Sequence, residues 1–165
     1  LTRGEPSVGL QSGCSVRHGT WGTASWTLDS DCTLTINGGD TGSMASATAF
    51  GNRDTVGSVA HDTTDILING SLILRTNLAF FLWPSLTHFR MTSGARFIPA
   101  GSGGDRTFFR AGRLASVDTT GWDLSQTTNM YGMFSGCTSL TSVSMVGAVI
   151  GTITNITVCS PAAPA

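Results

Sequence analysis

The sequence predicts an α/β, β-rich fold: a short stacked solenoid closed at its start by an N-terminal β-hairpin cap. Three observations predict it. Only 12% of the 165 residues are charged, all nine basic residues are Arg and nine of the ten acids are Asp, so helix-favouring charged side chains are scarce. Short apolar runs alternate with Thr at the period of a half-buried strand. One apolar pattern, F-x5-L-x2-(F/V), occurs three times at intervals in the mid-twenties, which marks units that bury an apolar face by stacking on one another.

The elements follow in chain order. Residues 1–13 contain Pro6 and three Gly with little periodicity and read as a flexible arm. The span 14–57 reads as the hairpin cap and a loop. Trp26-Thr27-Leu28 and Thr33-Leu34-Thr35-Ile36 flank Asp29-Ser30-Asp31, which predicts a hairpin with Trp26 and Leu28 on one face and Leu34 and Ile36 on another. From Asp40 to Gly57 small residues dominate, with Met44 and Phe50 as the large apolar anchors of an expected loop. The span 58–159 holds the repeats, and Ser160 to Ala165 reads as the start of a Pro/Ala linker.

The repeats are Phe80…Leu86…Phe89, Phe108…Leu114…Val117 and Phe134…Leu140…Val143, separated by 28 and then 26 residues. Each is expected to place a Phe on a short helical turn, a Leu on the descending chain and a Phe or Val at a strand start, so that neighbours bury three columns. Ile66, Ile68, Leu72 and Leu74 are expected as the sheet edge entering the first unit. Val143, Met145, Val149, Ile150, Ile153, Ile156 and Val158 are expected to close the last.

The third copy with its approach runs Val117-Asp118-Thr119-Thr120-Gly121-Trp122-Asp123-Leu124, then Thr128-Asn129-Met130-Tyr131-Gly132-Met133-Phe134-Ser135-Gly136-Cys137-Thr138-Ser139-Leu140-Thr141-Ser142-Val143. Its G-W-D, T-N-M and M-F-S-G-C-T-S-L-T-S elements resemble the BspA-like leucine-rich repeat surface proteins of Gram-positive bacteria. The opening G-T-W-G-T-A-S-W-T-L-D-S-D-C-T-L-T-I is similar to the small β segment that precedes such repeats. The resemblance implies a leucine-rich-repeat-like solenoid, a non-enzymatic surface protein, and packing or backbone-satisfying roles for Trp122, Asn129, Met130, Phe134 and Leu140.

Four cysteines in a Ser/Thr-rich chain point to disulfides. Of three connectivities, local pairing of Cys14 with Cys32 and Cys137 with Cys159 closes the least chain. Cys137 also fits as a small buried apolar residue of its repeat. A zinc set of Cys14, His18 and Cys32 lacks a fourth ligand, and Asp29, Asp31, Asn37 and Asp40 lack the spacing of a calcium loop, so no metal or cofactor is expected. For catalysis, only Ser58 beside His61-Asp62 approaches a nucleophile, base and acid set, and neither an elbow motif nor a metalloprotease motif is present. No enzyme is expected.

Arg90, Arg96, Arg106, Arg110 and Arg113 are five of the nine basic residues within 24 positions, opposed in that stretch only by Asp105. Guanidinium forks on a shared face would bind the carboxylates or sulfates of an anionic glycan; the same residues also serve as a solvated, aggregation-resistant edge. A net charge of -1 gives no general argument for nucleic-acid or membrane binding, neither is expected as a partner, and no run approaches the roughly 18 apolar residues of a membrane span. Leu1 in place of Met reads as a processed start, consistent with secretion. The expectation is a secreted or cell-surface-attached adhesion module for an extracellular protein or anionic glycan. The alternative is a structural subunit of a surface filament that self-associates through the arm and the solenoid ends.

Overall fold

The computed structural model describes residues 13–151. Except for Gly13, the expected arm lies outside the described residues, as do Ile153, Ile156, Val158, Cys159 and the expected linker. The β-rich reading holds: the elements in order are β1 (Arg17–Trp21), β2 (Ala24–Leu28), β3 (Thr33–Asp40), α1 (Ser46–Phe50), α2 (Val59–Asp62), β4 (Asp65–Leu74), β5 (His88–Met91), β6 (Arg96–Pro99) and β7 (Ser116–Val117). The strands form one mixed sheet in the order β1-β2-β3-β4-β5-β7, with β6 also paired to β4. Strands β1 to β3 are antiparallel neighbours, and every pairing from β3 onward is parallel.

The β2–β3 hairpin turns where Asp29 predicts it. The Asp29 carboxylate accepts the N–H groups of Asp31 and Thr33 at 2.9 and 3.0 Å, as turn-forming Asp does. One expectation is corrected here: this turn sets Leu28 opposite Leu34 and Trp26 opposite Ile36. Directly paired residues share a face, so all four point into the core rather than to separate faces. The Cys14–Cys32 disulfide ties the segment before β1 to this turn across 18 residues, a closure worth about 3 kcal/mol on the chain-entropy model.

The expected loop from Asp40 to Gly57 contains the single helical turn α1. Phe50 drives it: its ring meets Trp21, Trp26 and Trp83 at centroid distances of 5.1 to 5.4 Å, edge-on or tilted as aromatic quadrupoles prefer. Strand β4 is likewise not an edge. It lies centrally, with β3 on one side and β5 and β6 on the other, because a second parallel ladder uses its far half, from Ser71 to Leu74.

The repeated residues meet. Phe80, Phe108 and Phe134 are buried and stack in one column, with successive centroids 5.5 Å apart. Leu86, Leu114 and Leu140 are buried as a second set. The turns holding the Phe residues hydrogen-bond to one another at alternate positions. Leu78, Phe80 and Leu82 donate to the carbonyls of Asp105, Thr107 and Phe109 at 2.7 to 3.0 Å; Arg106, Phe108 and Arg110 donate to Tyr131, Met133 and Ser135 at 2.7 to 2.9 Å.

Each of these turns holds two left-handed residues four positions apart. They are Leu78 and Leu82 (φ 57° and 56°), Arg106 and Arg110 (49° and 58°), and Gly132 and Gly136 (59° and 77°). A side chain in this region costs roughly 1–2 kcal/mol per residue. Only the third copy avoids the cost with glycine, and there the Arg106 and Arg110 stems lie close over Gly132 and Gly136.

The last expected closure is partial. Val143 and Met145 pack on the core, whereas Val149 and Ile150 are 55% and 57% exposed, although Val149 continues the backbone ladder through Trp122 and Leu124.

A Cβ on Gly136 would lie 2.9 Å from Arg110 Cγ and 3.2 Å from Arg110 Cα. Gly136→Ala should therefore lower stability by about 1–2 kcal/mol in a urea melt, while Gly112→Ala, whose nearest neighbour is Thr138 Oγ1 at 3.6 Å, should stay within about 0.5 kcal/mol of the parent. Equal midpoints for the two variants would contradict this stacking.

Candidate binding surface

Strand alternation builds the open face of the sheet. While Ile36, Ile68 and Phe89 point inward, their neighbours form outward rows across paired strands. One row is His18, Thr27, Thr35, Leu67 and Arg90; another is Thr33, Asp65, His88 and Ser116. A third is joined by side-chain hydrogen bonds: Asn37 Nδ2 donates to Ser25 Oγ at 3.0 Å, Asn69 Nδ2 to Asn37 Oδ1 at 3.0 Å, and Thr92 Oγ1 to Asn69 Oδ1 at 3.2 Å. All three bonds run in one direction, so each group polarises the next. An Asn has more donor and acceptor capacity than the ladder uses, and Asn69 is exposed to solvent.

The second row brings a serine, a histidine and an aspartate onto adjacent strands. His88 Nδ1 and Ser116 Oγ are 2.6 Å apart, but the Asp65 carboxylate is engaged 2.8 Å away by Arg90. The trio singled out by sequence is a helix cap. Ser58 Oγ accepts the His61 backbone N–H at 3.0 Å and donates to the Asn52 carbonyl at 2.7 Å. His61 Nδ1 faces the Asp62 carboxylate at 2.7 Å, so the hydroxyl serves the N-terminus of α2 rather than the imidazole.

The structure distributes the five arginines over the strand ladders and the turns. Asp105 does not oppose them alone: Arg90 meets Asp65, Arg96 meets Asp123, and Arg106 meets Asp105 at 3.1 Å. Asp65 and Asp123 were not read as partners from the sequence because each lies a whole repeat away from its arginine. Arg110 lies over the Phe109 ring, 5.2 Å from its centroid, and Arg113 is exposed. The aromatic partner of Arg110 was not read from the sequence either, although the alignment of Phe81 with Phe109 in the first two copies signals an outward aromatic position.

Electrostatics follow these pairings. Asp123 is held below the usual carboxylate range by hydrogen bonds from Ser125 and then by Arg96, and Asp40 by the Gly42 N–H and then by Arg75. Asp105 raises the Arg106 guanidinium further. The disulfide withdraws Cys14 and Cys32 from the zinc set considered above. Among the described residues Cys137 is a free thiol, its expected partner Cys159 lying outside them. Its S–H donates to the Phe108 carbonyl at 3.0 Å, and burial pushes its pKa up to about 11.

No protein-family model, no curated protein and no solved structure matches this chain.

Carboxylates with lowered pKa values stabilise the fold fully above their unfolded pKa and lose that contribution as pH falls through the folded value. Stability should therefore be insensitive to Asp40 and Asp123 above about pH 5 and decline below about pH 4. Urea midpoints between about pH 2 and 6 should fall less steeply for Asp123→Asn, and parallel curves would remove Asp123 as a cause. For Cys137, a Cys159→Ser variant should resist thiol-specific reagents at about pH 8 while folded and react on unfolding. Rapid labelling of the folded variant would contradict the burial.

Proposed function

We propose that this chain is a non-catalytic binding module of a secreted or cell-surface protein, built as a short leucine-rich-repeat-like solenoid of the BspA-like kind. It recognises an extracellular protein or glycan on its open sheet face. The observation that carries this reading is the directional ladder from Thr92 through Asn69 and Asn37 to Ser25. A face of hydroxyls, amides and the Asp65–Arg90 pair presents fixed donors and acceptors to sugar hydroxyls or peptide groups, and preorganisation reduces what binding must spend on ordering. The repeating intervals and the phenylalanine column support the solenoid. A disulfide, and the absence of any helix among the described residues long and apolar enough to cross a membrane, are compatible with secretion.

The alternative, a subunit of a surface filament, is favoured by one feature. Among the described residues the last ladder leaves Val146, Val149 and Ile150 more than half exposed, the kind of apolar end that a second copy can extend.

An array of extracellular-matrix proteins and glycans, read with the parent and with Asn37→Ala/Asn69→Ala, tests the leading reading. Loss of two ligand-facing amides should weaken the captured ligand roughly 30-fold, about 1 kcal/mol per hydrogen bond. Unchanged affinity in the folded variant would remove the sheet face as the site. A concentration-dependent polymer in sedimentation, abolished by Val149→Asp, would favour the filament instead.

A further inference from the structure

The turns that carry the buried phenylalanine column also carry an outward aromatic pair. Phe81 and Phe109, each next to its buried Phe in sequence, are half-buried and stack with centroids 5.6 Å apart and planes 20° from parallel. The Arg53 guanidinium lies over Phe81, 4.3 Å from its centroid, and that of Arg110 lies over Phe109. The aromatic pair is thus bracketed by two cations.

Charge pairing separates these cations from the rest. Among the described residues Arg17, Arg75, Arg90, Arg96 and Arg106 each have an aspartate partner. Arg53, Arg110 and Arg113 have none, and two of these three sit on the same aromatic pair. Both side chains meet the fold along their stems. Arg110 is left-handed at φ 58° with its stem against Gly136, and Arg53 Nε is buried with no hydrogen-bond partner. Stacking orients a guanidinium without using its in-plane donors, and the edges of the rings present the positive rim of their quadrupole. The result is a cationic strip with no aspartate partner among the described residues.

We propose that Arg53, Phe81, Phe109 and Arg110 form a binding site for a polyanionic glycan carrying sulfate or carboxylate groups. A single exposed ion pair contributes at most about 1 kcal/mol, so one small anion would not be retained, whereas a polymer engages both cations and rebinds along its length. Nucleic acid fits less well, because single-strand binding draws on aromatic faces to stack its bases, and the faces of Phe81 and Phe109 are engaged by each other and by Arg53 and Arg110. The site uses residues of the turns and does not depend on the sheet-face reading.

Biosensor surfaces of heparin, neutral dextran and single-stranded DNA test it. The parent should bind heparin in preference to both others, and more weakly as salt rises from about 50 to 300 mM. Arg53→Gln/Arg110→Gln should lose at least about tenfold in heparin affinity, Arg110→Lys should fall between that variant and the parent, and the charge-matched control Arg17→Gln/Arg75→Gln, at two aspartate-paired cations, should bind like the parent. Thermal melts confirm that each variant is folded. The proposal is overturned if the folded parent ignores heparin, if Arg53→Gln/Arg110→Gln binds like the parent, or if Arg17→Gln/Arg75→Gln loses as much. Equal binding to DNA would overturn the glycan assignment. A loss confined to Asn37→Ala/Asn69→Ala would move heparin binding to the sheet face, whereas failure of the sheet-face reading alone leaves the heparin result intact.

Discussion

Everything in this structure depends on holding one turn of the chain in register with the next. The column of Phe80, Phe108 and Phe134 supplies the apolar term, and six backbone hydrogen bonds between the same turns supply the direction. Neither term suffices alone. A phenylalanine with nothing stacked on it leaves apolar area in water at about 25 cal/mol per Å², and a turn without its neighbour has three unsatisfied N–H groups. This mutual requirement lets the first two units tolerate Leu78, Leu82, Arg106 and Arg110 in a left-handed conformation that glycine relieves in the third.

The same register explains how a chain with so few charges uses them. Asp40 with Arg75, Asp65 with Arg90, and Asp123 with Arg96 each join neighbouring passages of the sheet. Their arginines are about half exposed while Asp123 is buried, and each pair is satisfied only when the strands are aligned, so they discriminate against slipped registers. Arg53 and Arg110 fall outside this cross-linking and are stacked on aromatic rings instead. The open sheet face applies the same economy to neutral groups, because the amides of Asn37 and Asn69 bridge strands while remaining available to solvent.

Much of the interior was legible from the chain. The spacing of Phe80, Phe108 and Phe134 identified a column, the alternation around Asp29 identified a hairpin, and Cys14 with Cys32 was the pair that closes least chain; all three are present. Asp118, Asp123 and Asn129 take backbone N–H groups two residues on, as turn-forming Asp and Asn do. Helix α1 was not legible, because Ser46 to Phe50 has weak helical character and forms a turn only when Phe50 finds three tryptophans from β1, β2 and the first repeat. The left-handed turns were hidden for a similar reason: Leu and Arg are poor local signals for positive φ, and the glycines that reveal it occur only in the third copy.

The sequence by itself determined which residues enter the core, since periodicity and hydrophobicity are local properties that survive in a single strand of text. It also determined the repeat intervals, and with them which side chains would become neighbours in a column. Only the tertiary structure decided which of the clustered arginines are neutralised. Arg90 and Arg96 find aspartates 25 and 27 positions away, a separation bridged by the fold, and the Coulomb term between such groups depends on distance in space rather than along the chain. The cations that lack an aspartate partner among the described residues are therefore set by the stacked turns, and the polar ladder of Asn37 and Asn69 by the strand register.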